Sequence, residues 1–185
     1  MSWTMIKSLF GTVAAHGRRV VLGTMIAALG VGWAGVVAAA DGDQVLGRFK
    51  DWTTVTFVED GIEVCYIVSQ PKKSEGDYTK RGAAYVQVTR RGPSASDVVS
   101  FEAGYPFRAE VEVVVEIDNK TFKLFGHGET AWAYGEDGDR EMVSAMRSGK
   151  RMTVRGVSQR GTKTTDRYSL FGFTKAHKTM VEECG

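Results

Sequence analysis

The chain has 185 residues and a formal net charge of +2, from 24 Lys and Arg against 22 Asp and Glu. That length suits one domain with a substantial core, and the near balance of charge gives no electrostatic basis for binding nucleic acid. Its two cysteines leave a single intramolecular pairing.

Residues 1–40 differ in character from the rest. A polar start carrying Lys7, Arg18 and Arg19 leads into the apolar run VVLGTMIAALGVGWAGVV at 20–37, then AAA at 38–40 and DGDQ. Basic, apolar and small-residue segments in this order read as a secretory signal peptide with the cut after Ala40. The 18-residue run also reaches the length of a membrane span, so an uncleaved amino-terminal anchor is the alternative. Cleavage removes those three cations, leaving 21 Lys and Arg against 22 Asp and Glu in a domain spanning 41–185. No later apolar run is long enough to span a membrane.

Strand patterns dominate that domain. DWTTVTFV (51–58) and IEVCYIVS (62–69) flank a turn at Glu59-Asp60-Gly61. QPKKSEGDYTKRG (70–82) reads as a polar, basic loop. Strands follow at 83–90 and 97–103, with a turn at 91–96. In VEVVVEI (111–117), Val111, Val113, Val115 and Ile117 share one face, and Asp118-Asn119 turns into a strand at 120–125. The stretch 126–132 reads as a strand connection. A helix is predicted over 138–149, with Asp139 capping its first turn and Gly149 ending it. Strands at 151–158 and 164–173 precede a terminal helix over 173–185, whose Phe173, Ala176, Met180 and Cys184 form one apolar stripe. Eight or nine strands with regular turns predict a mostly β fold: an antiparallel sandwich or barrel-like domain with one short helix and a C-terminal helix.

Cys65 and Cys184 are expected to pair, because an exported chain meets an oxidising compartment. A free or intermolecular thiol, a nucleophile and a metal ligand are the competing readings. A nucleophile needs a base, and only His127 and His177 lie beyond residue 40; a zinc site needs three or four ligands, and the chain has no CxxC or HxxxH. His127 reads as a surface or turn histidine and His177 as a half-buried structural one. GHGETAW (126–132) lacks the spacing of a phosphate-binding loop. The acidic pairs Glu112/Glu116 and Asp137/Asp139 read as solvated charges. Trp52, Trp132, Tyr134, Tyr105 and Phe107 are candidates for an aromatic groove accepting a sugar or peptide. Lys72, Lys73, Lys80 and Arg81 make one loop basic and, with Trp132 and Tyr134, form the candidate binding surface. No catalytic, cofactor or metal constellation is recognisable.

Several stretches in order resemble the invasion associated locus B family of exported alphaproteobacterial proteins. They are DWTTV (51–55), EVCYIVSQPKK (63–73), RGAAYVQVTRR (81–91), VSFEAGYPF (99–107), FKLFGHGETAWAY (122–134), VSAMRSGKRMTVRGVSQRGT (143–162), DRYSLFGFTKA (166–176) and Cys184. The resemblance implies a periplasmic or surface-associated β-sandwich-like domain; the family is named for a role in entry of a pathogen into red cells. Many members carry further cysteines, whereas this chain has Thr53, Thr54 and Val55 after Trp52 and none between 66 and 183. The expectation is a non-enzymatic protein of the periplasm, outer-membrane surface or medium that binds an envelope or host-surface component. A structural or chaperone-like envelope role, or an envelope-polymer hydrolase using two carboxylates, are the alternatives.

Overall fold

The computed structural model describes residues 42–185; the signal peptide expected over 1–40 lies outside the described residues. Eleven strands and two helices follow in the order β1 (Gln44–Phe49), β2 (Trp52–Glu59), β3 (Ile62–Ser69), β4 (Lys73–Gly76), β5 (Tyr85–Arg91), β6 (Val98–Glu102), β7 (Val113–Ile117), β8 (Lys120–His127), β9 (Thr130–Trp132), α1 (Gly135–Ser148), β10 (Arg151–Val157), β11 (Lys163–Ser169) and α2 (Phe173–Cys184). Every pairing is antiparallel, and the bonded order is β1-β2-β3-β5-β6-β9-β8-β7-β10-β11-β4. The end strands β1 and β4 do not pair, so the sheet is not a closed barrel.

β8 makes the corner. Its first five residues, Lys120–Leu124, pair with β7, and its last three, Phe125–His127, pair with β9. A strand that changes partner along its length folds one sheet into two packed halves. Phe101 and Ala103 from one half meet Val154, Thr164 and Tyr168 from the other around a cavity of about 10 Å³. That space is barely one water in size, so the two halves meet there with room for no ligand.

Periodicity explains most of the elements. Val113, Val115 and Ile117 point into the core as alternation predicts, while Val111 falls outside the strand at 38% exposure. Asp60 and Gly61 both have positive φ, at 52° and 77°, which matches the twist of a two-residue hairpin between β2 and β3. The three strands absent from the sequence reading are β1, β4 and β9. β1 carries a bulge between Val45 and Gly47 that breaks its alternation. β4, KSEG, is a polar edge strand inside the predicted 70–82 loop, held only by β11. β9 has three residues. The last predicted strand also ends earlier, at Ser169, because Gly172 turns the chain into α2.

α1 starts at Gly135, a turn before the sequence signal, and Asp139 does not cap it. Asp139 is buried and its Oδ1 accepts the Val99 backbone N–H at 2.9 Å, tying α1 to β6. Burial pushes its carboxyl above the ordinary carboxylate range; the Val99 bond opposes that rise, and Asp97 and Glu136 add to it.

α2 lies across the inner face of β1–β3. Phe173, Ala176, Met180 and Cys184 are all buried, as the stripe predicts. The Trp52 ring meets Phe173 edge-on at 4.8 Å, and Trp52 Nε1 donates to Ser169 O at 3.1 Å. Thr54 Oγ1 donates to Ala176 O at 3.2 Å. Entry to the helix needs Gly172: its φ is +94°, and a Cβ there would sit 1.8 Å from Phe49 O.

The Cys65–Cys184 disulfide fastens the end of α2 to β3, with Cα atoms 6.0 Å apart across a separation of 119 residues. In the chain-entropy account a loop of this length stabilises the fold by roughly 5 kcal/mol. The Cys65→Ala/Cys184→Ala pair is therefore expected to melt roughly 10–20 °C below the wild type in calorimetry. The wild type held in a dithiol reductant should fall by a similar amount. A shift of under about 3 °C would show that α2 is held by packing alone.

Candidate functional site

The strand period places alternate residues of β6, β8 and β9 on the outer face of the sheet. On β9, Trp132 sits opposite Ser100 of β6 and Phe125 of β8. The Phe125 and Trp132 rings lie 5.7 Å apart, and Tyr134, just before α1, stands 5.4 Å from Phe125. Phe125 is 41% and Tyr134 58% exposed, and Trp132 is half-buried. Three rings joined through Phe125 and facing solvent are uncommon on a sheet surface that serves only the fold. Phe125 was not singled out from the sequence. It belongs to the set only because the β8 corner brings its register opposite Trp132.

Polar groups flank the rings. Lys123, two residues before Phe125, pairs with Glu112 at 2.8 Å, and the bond and charge of Glu112 raise its ammonium pKa, with Tyr134 adding to the rise. On the other side, Thr130 Oγ1 donates to Glu102 Oε2 at 2.8 Å. Burial pushes the Glu102 carboxyl up; the Thr130 bond opposes this, and neighbouring Glu129 reinforces it. Tyr85, opposite Glu102, is raised by burial and by the same two carboxylates.

The basic loop does not join this face. Its strand β4 is separated from β9 in the bonded order by four strands, β8, β7, β10 and β11. Lys72 is paired with Asp51, and Lys73 with Glu75 at 2.7 Å; both lysines and Lys80 are solvent-exposed.

Arg81, expected on that surface, is instead an internal strut. Its side chain is 6% exposed and binds Asp166 with two parallel bonds of 2.8 and 2.6 Å, while Nε donates to Ala103 O at 2.7 Å. The guanidinium lies over the rings of Tyr78 and Tyr105 at 5.5 and 5.1 Å. Tyr105 hydrogen-bonds Thr164. Burial works against the charge on Arg81, but Asp166 outweighs it and raises the pKa. The reason for the burial is topological: residues 77–84 cross from β4 in one half to β5 in the other, and Arg81 satisfies both as they pass.

The other sequence candidates separate cleanly. Trp52 is core at 1% exposure, and Tyr105 and Phe107 meet edge-on at 5.4 Å beside the small cavity. Glu112, Glu116 and Asp137 pair with Lys123, Arg155 and Arg140. His127 is exposed at the end of β8. His177 is buried at 8% exposure, stacked on Phe173, with Nε2 2.7 Å from Asp97 Oδ2; Arg90 Nε donates to Asp97 Oδ1 at 2.9 Å.

What these observations define is an open antiparallel β domain, closed on one face by a disulfide-fastened terminal helix and bearing an aromatic cluster on the other. The chain belongs to the family described as invasion associated locus B (IalB) protein, whose model matches residues 52–181. Among solved structures it is similar to invasion associated protein B from Bartonella henselae, with a TM-score of 0.55 and 16% identity over 76% of this chain and 96% of that one. No curated protein sequence matches the chain. At 16% identity the structural likeness concerns the fold. No helix among the described residues is long and apolar enough to cross a membrane.

Two ion-pair predictions follow from this geometry. Arg81→Ala leaves Asp166 charged and buried without a partner, so it is expected to cost about 3–5 kcal/mol in denaturant unfolding. Arg81→Lys should rescue little of that, because an ammonium cannot reproduce the paired bonds. For Asp97, burial pulls its pKa up, but the bonds and charges of His177 and Arg90 outweigh burial and hold it below its ordinary 3.8. The group's contribution is therefore fully present above pH 3.8 and is lost as pH falls through the lower folded value. Asp97→Asn is expected to lower stability by about 2 kcal/mol at pH 7 and to flatten the loss below about pH 4, read by denaturation midpoints across pH.

Proposed function

We propose that this protein is exported and acts by binding, through the Phe125–Trp132–Tyr134 face, a sugar or peptide of the cell envelope or of a host surface. The observation that carries the reading is the exposed ring cluster itself, which no element of the fold covers among the described residues. Aromatic rings supply flat apolar area at low entropic cost, and the adjacent hydroxyl and carboxylate groups of Thr130, Glu102 and Glu129 offer directional bonds. Membership of the family and the disulfide both support an extracytoplasmic setting, with residues 1–40 as the leader. A role in host-cell invasion is the reading that the family's name suggests. The paired state of Glu112, Glu116 and Asp137 favours binding over hydrolysis by those carboxylates.

The test is pull-down from envelope and host-surface extracts with tagged exported protein. Trp132→Ala and Tyr134→Ala are each expected to weaken recovery by about 2 kcal/mol, roughly 30-fold in affinity, with melting temperature little changed. Changing Lys72, Lys73 and Lys80 to Gln should have a smaller effect. Recovery unchanged by the aromatic variants would remove this face from the account, and intact mass should place the amino terminus at Asp41.

A further inference from the structure

Away from the aromatic face, three metal-binding atoms converge at the disulfide. A carboxylate oxygen of Glu63, Cys65 Sγ and Cys184 Sγ all lie within 4.8 Å of one another. Glu63 and Cys65 are two apart on β3, so both leave the same face of the strand. Cys184 arrives from the last residue of α2. Thr56, opposite Cys65 on β2, donates to Glu63 Oε1 at 3.3 Å and stands 3.5 Å from Cys65 Sγ. The sulfurs are buried, while Glu63 is exposed and opens the cluster to solvent. Sequence spacing does not reveal the group, because its members are separated by up to 121 positions along the chain.

We propose that opening the disulfide converts this clasp into a site for a thiophilic divalent cation of the zinc class, with Glu63, Cys65 and Cys184 as ligands and water in the fourth position. The step balances through a dithiol reductant. The Cys65–Cys184 S–S bond breaks, and the reductant gives up two electrons and two protons and closes to its own disulfide. Cys65 and Cys184 become thiols. On binding, each thiol releases its proton to solvent, and two thiolates and one carboxylate surround the dication. A tetrahedral zinc with bonds near 2.3 Å sets its two sulfurs roughly 3.7 Å apart. The Cα separation of 6.0 Å accommodates that spread, and Cys184 sits where a helix end frays most readily. The bound cation then holds α2 against β3 as the disulfide does, so the helix stays seated in either redox state.

The experiment uses full-length exported protein, reduced with dithiothreitol, desalted under argon and titrated with Cd²⁺ as the probe. Reduced wild type, folded by circular dichroism, is expected to show a thiolate-to-cadmium charge-transfer band saturating at one equivalent. Its melting temperature should rise toward that of the oxidised protein. Glu63→Gln, an exposed and nearly isosteric change, should keep the band but weaken affinity about tenfold or more. Oxidised wild type and Cys65→Ala/Cys184→Ala should show no band. The proposal is overturned by no band in folded reduced protein, by a band only in protein that has lost its β signal, or by affinities of wild type and Glu63→Gln agreeing within about twofold.

Discussion

The fold depends on seating α2 against the inner face of β1–β3. Without that helix, Trp52, Thr54, Cys65 and Ile67 would face water, and a sheet with one uncovered apolar face is not a stable arrangement. Three kinds of force hold the helix. Packing comes from Phe173, Ala176 and Met180. Polar ties come from Thr54 and from His177 on Asp97. The covalent tie is Cys65–Cys184. They act at successive turns of the helix, from Gly172, where the chain enters against Phe49, to Cys184 at its end.

The second constraint lies between the two halves of the sheet. β8 joins them covalently at the corner, and Arg81 joins them again by bonding Ala103 and Asp166 at once. The close passage of the backbone there is tight: Gly82 N–H donates to Gly104 O at 2.9 Å, and a Cβ on Gly104, whose φ is +70°, would fall 2.5 Å from Gly82. A charged group is used where the loop crosses because its donors can satisfy backbone and side-chain acceptors on both halves together. The same arrangement removes Arg81 from any external role.

With the inner face sealed, chemistry is left to the outer one and to the edges of the clasp. The edges of the sheet are short or bulged: β4 has four residues, Lys-Ser-Glu-Gly, and β1 is bulged at Leu46. Lysines near β4 are paired with Asp51 and Glu75, which leaves less free charge than the composition of that loop suggests. The rings of Phe125, Trp132 and Tyr134 are thus an apolar surface that no element of the fold covers among the described residues.

Much of this was legible from residue order, and the failures have definite causes. Alternation in 111–117 and in 51–69, the apolar stripe of 173–184 and the pairing of two cysteines all express local periodicity or simple counting, which need no knowledge of neighbours. Polar β4, bulged β1 and three-residue β9 carry no such signal, since each exists only because a partner strand supplies its hydrogen bonds. The same limit applied to the sites. Trp132 and Tyr134 stood out by residue type, but Phe125 joined them through a cross-strand register. Arg81 looked like a surface cation until its loop was seen to cross between sheet halves. Asp139 looked like a cap until β6 offered it a buried N–H. The sequence by itself determined the strand-rich class, the terminal helix and its sulfur partner, because periodicity and cysteine count are local properties. Only tertiary structure decided which charges were buried, which rings met and which carboxylate stood beside the sulfurs, because those depend on contacts between residues far apart in the chain.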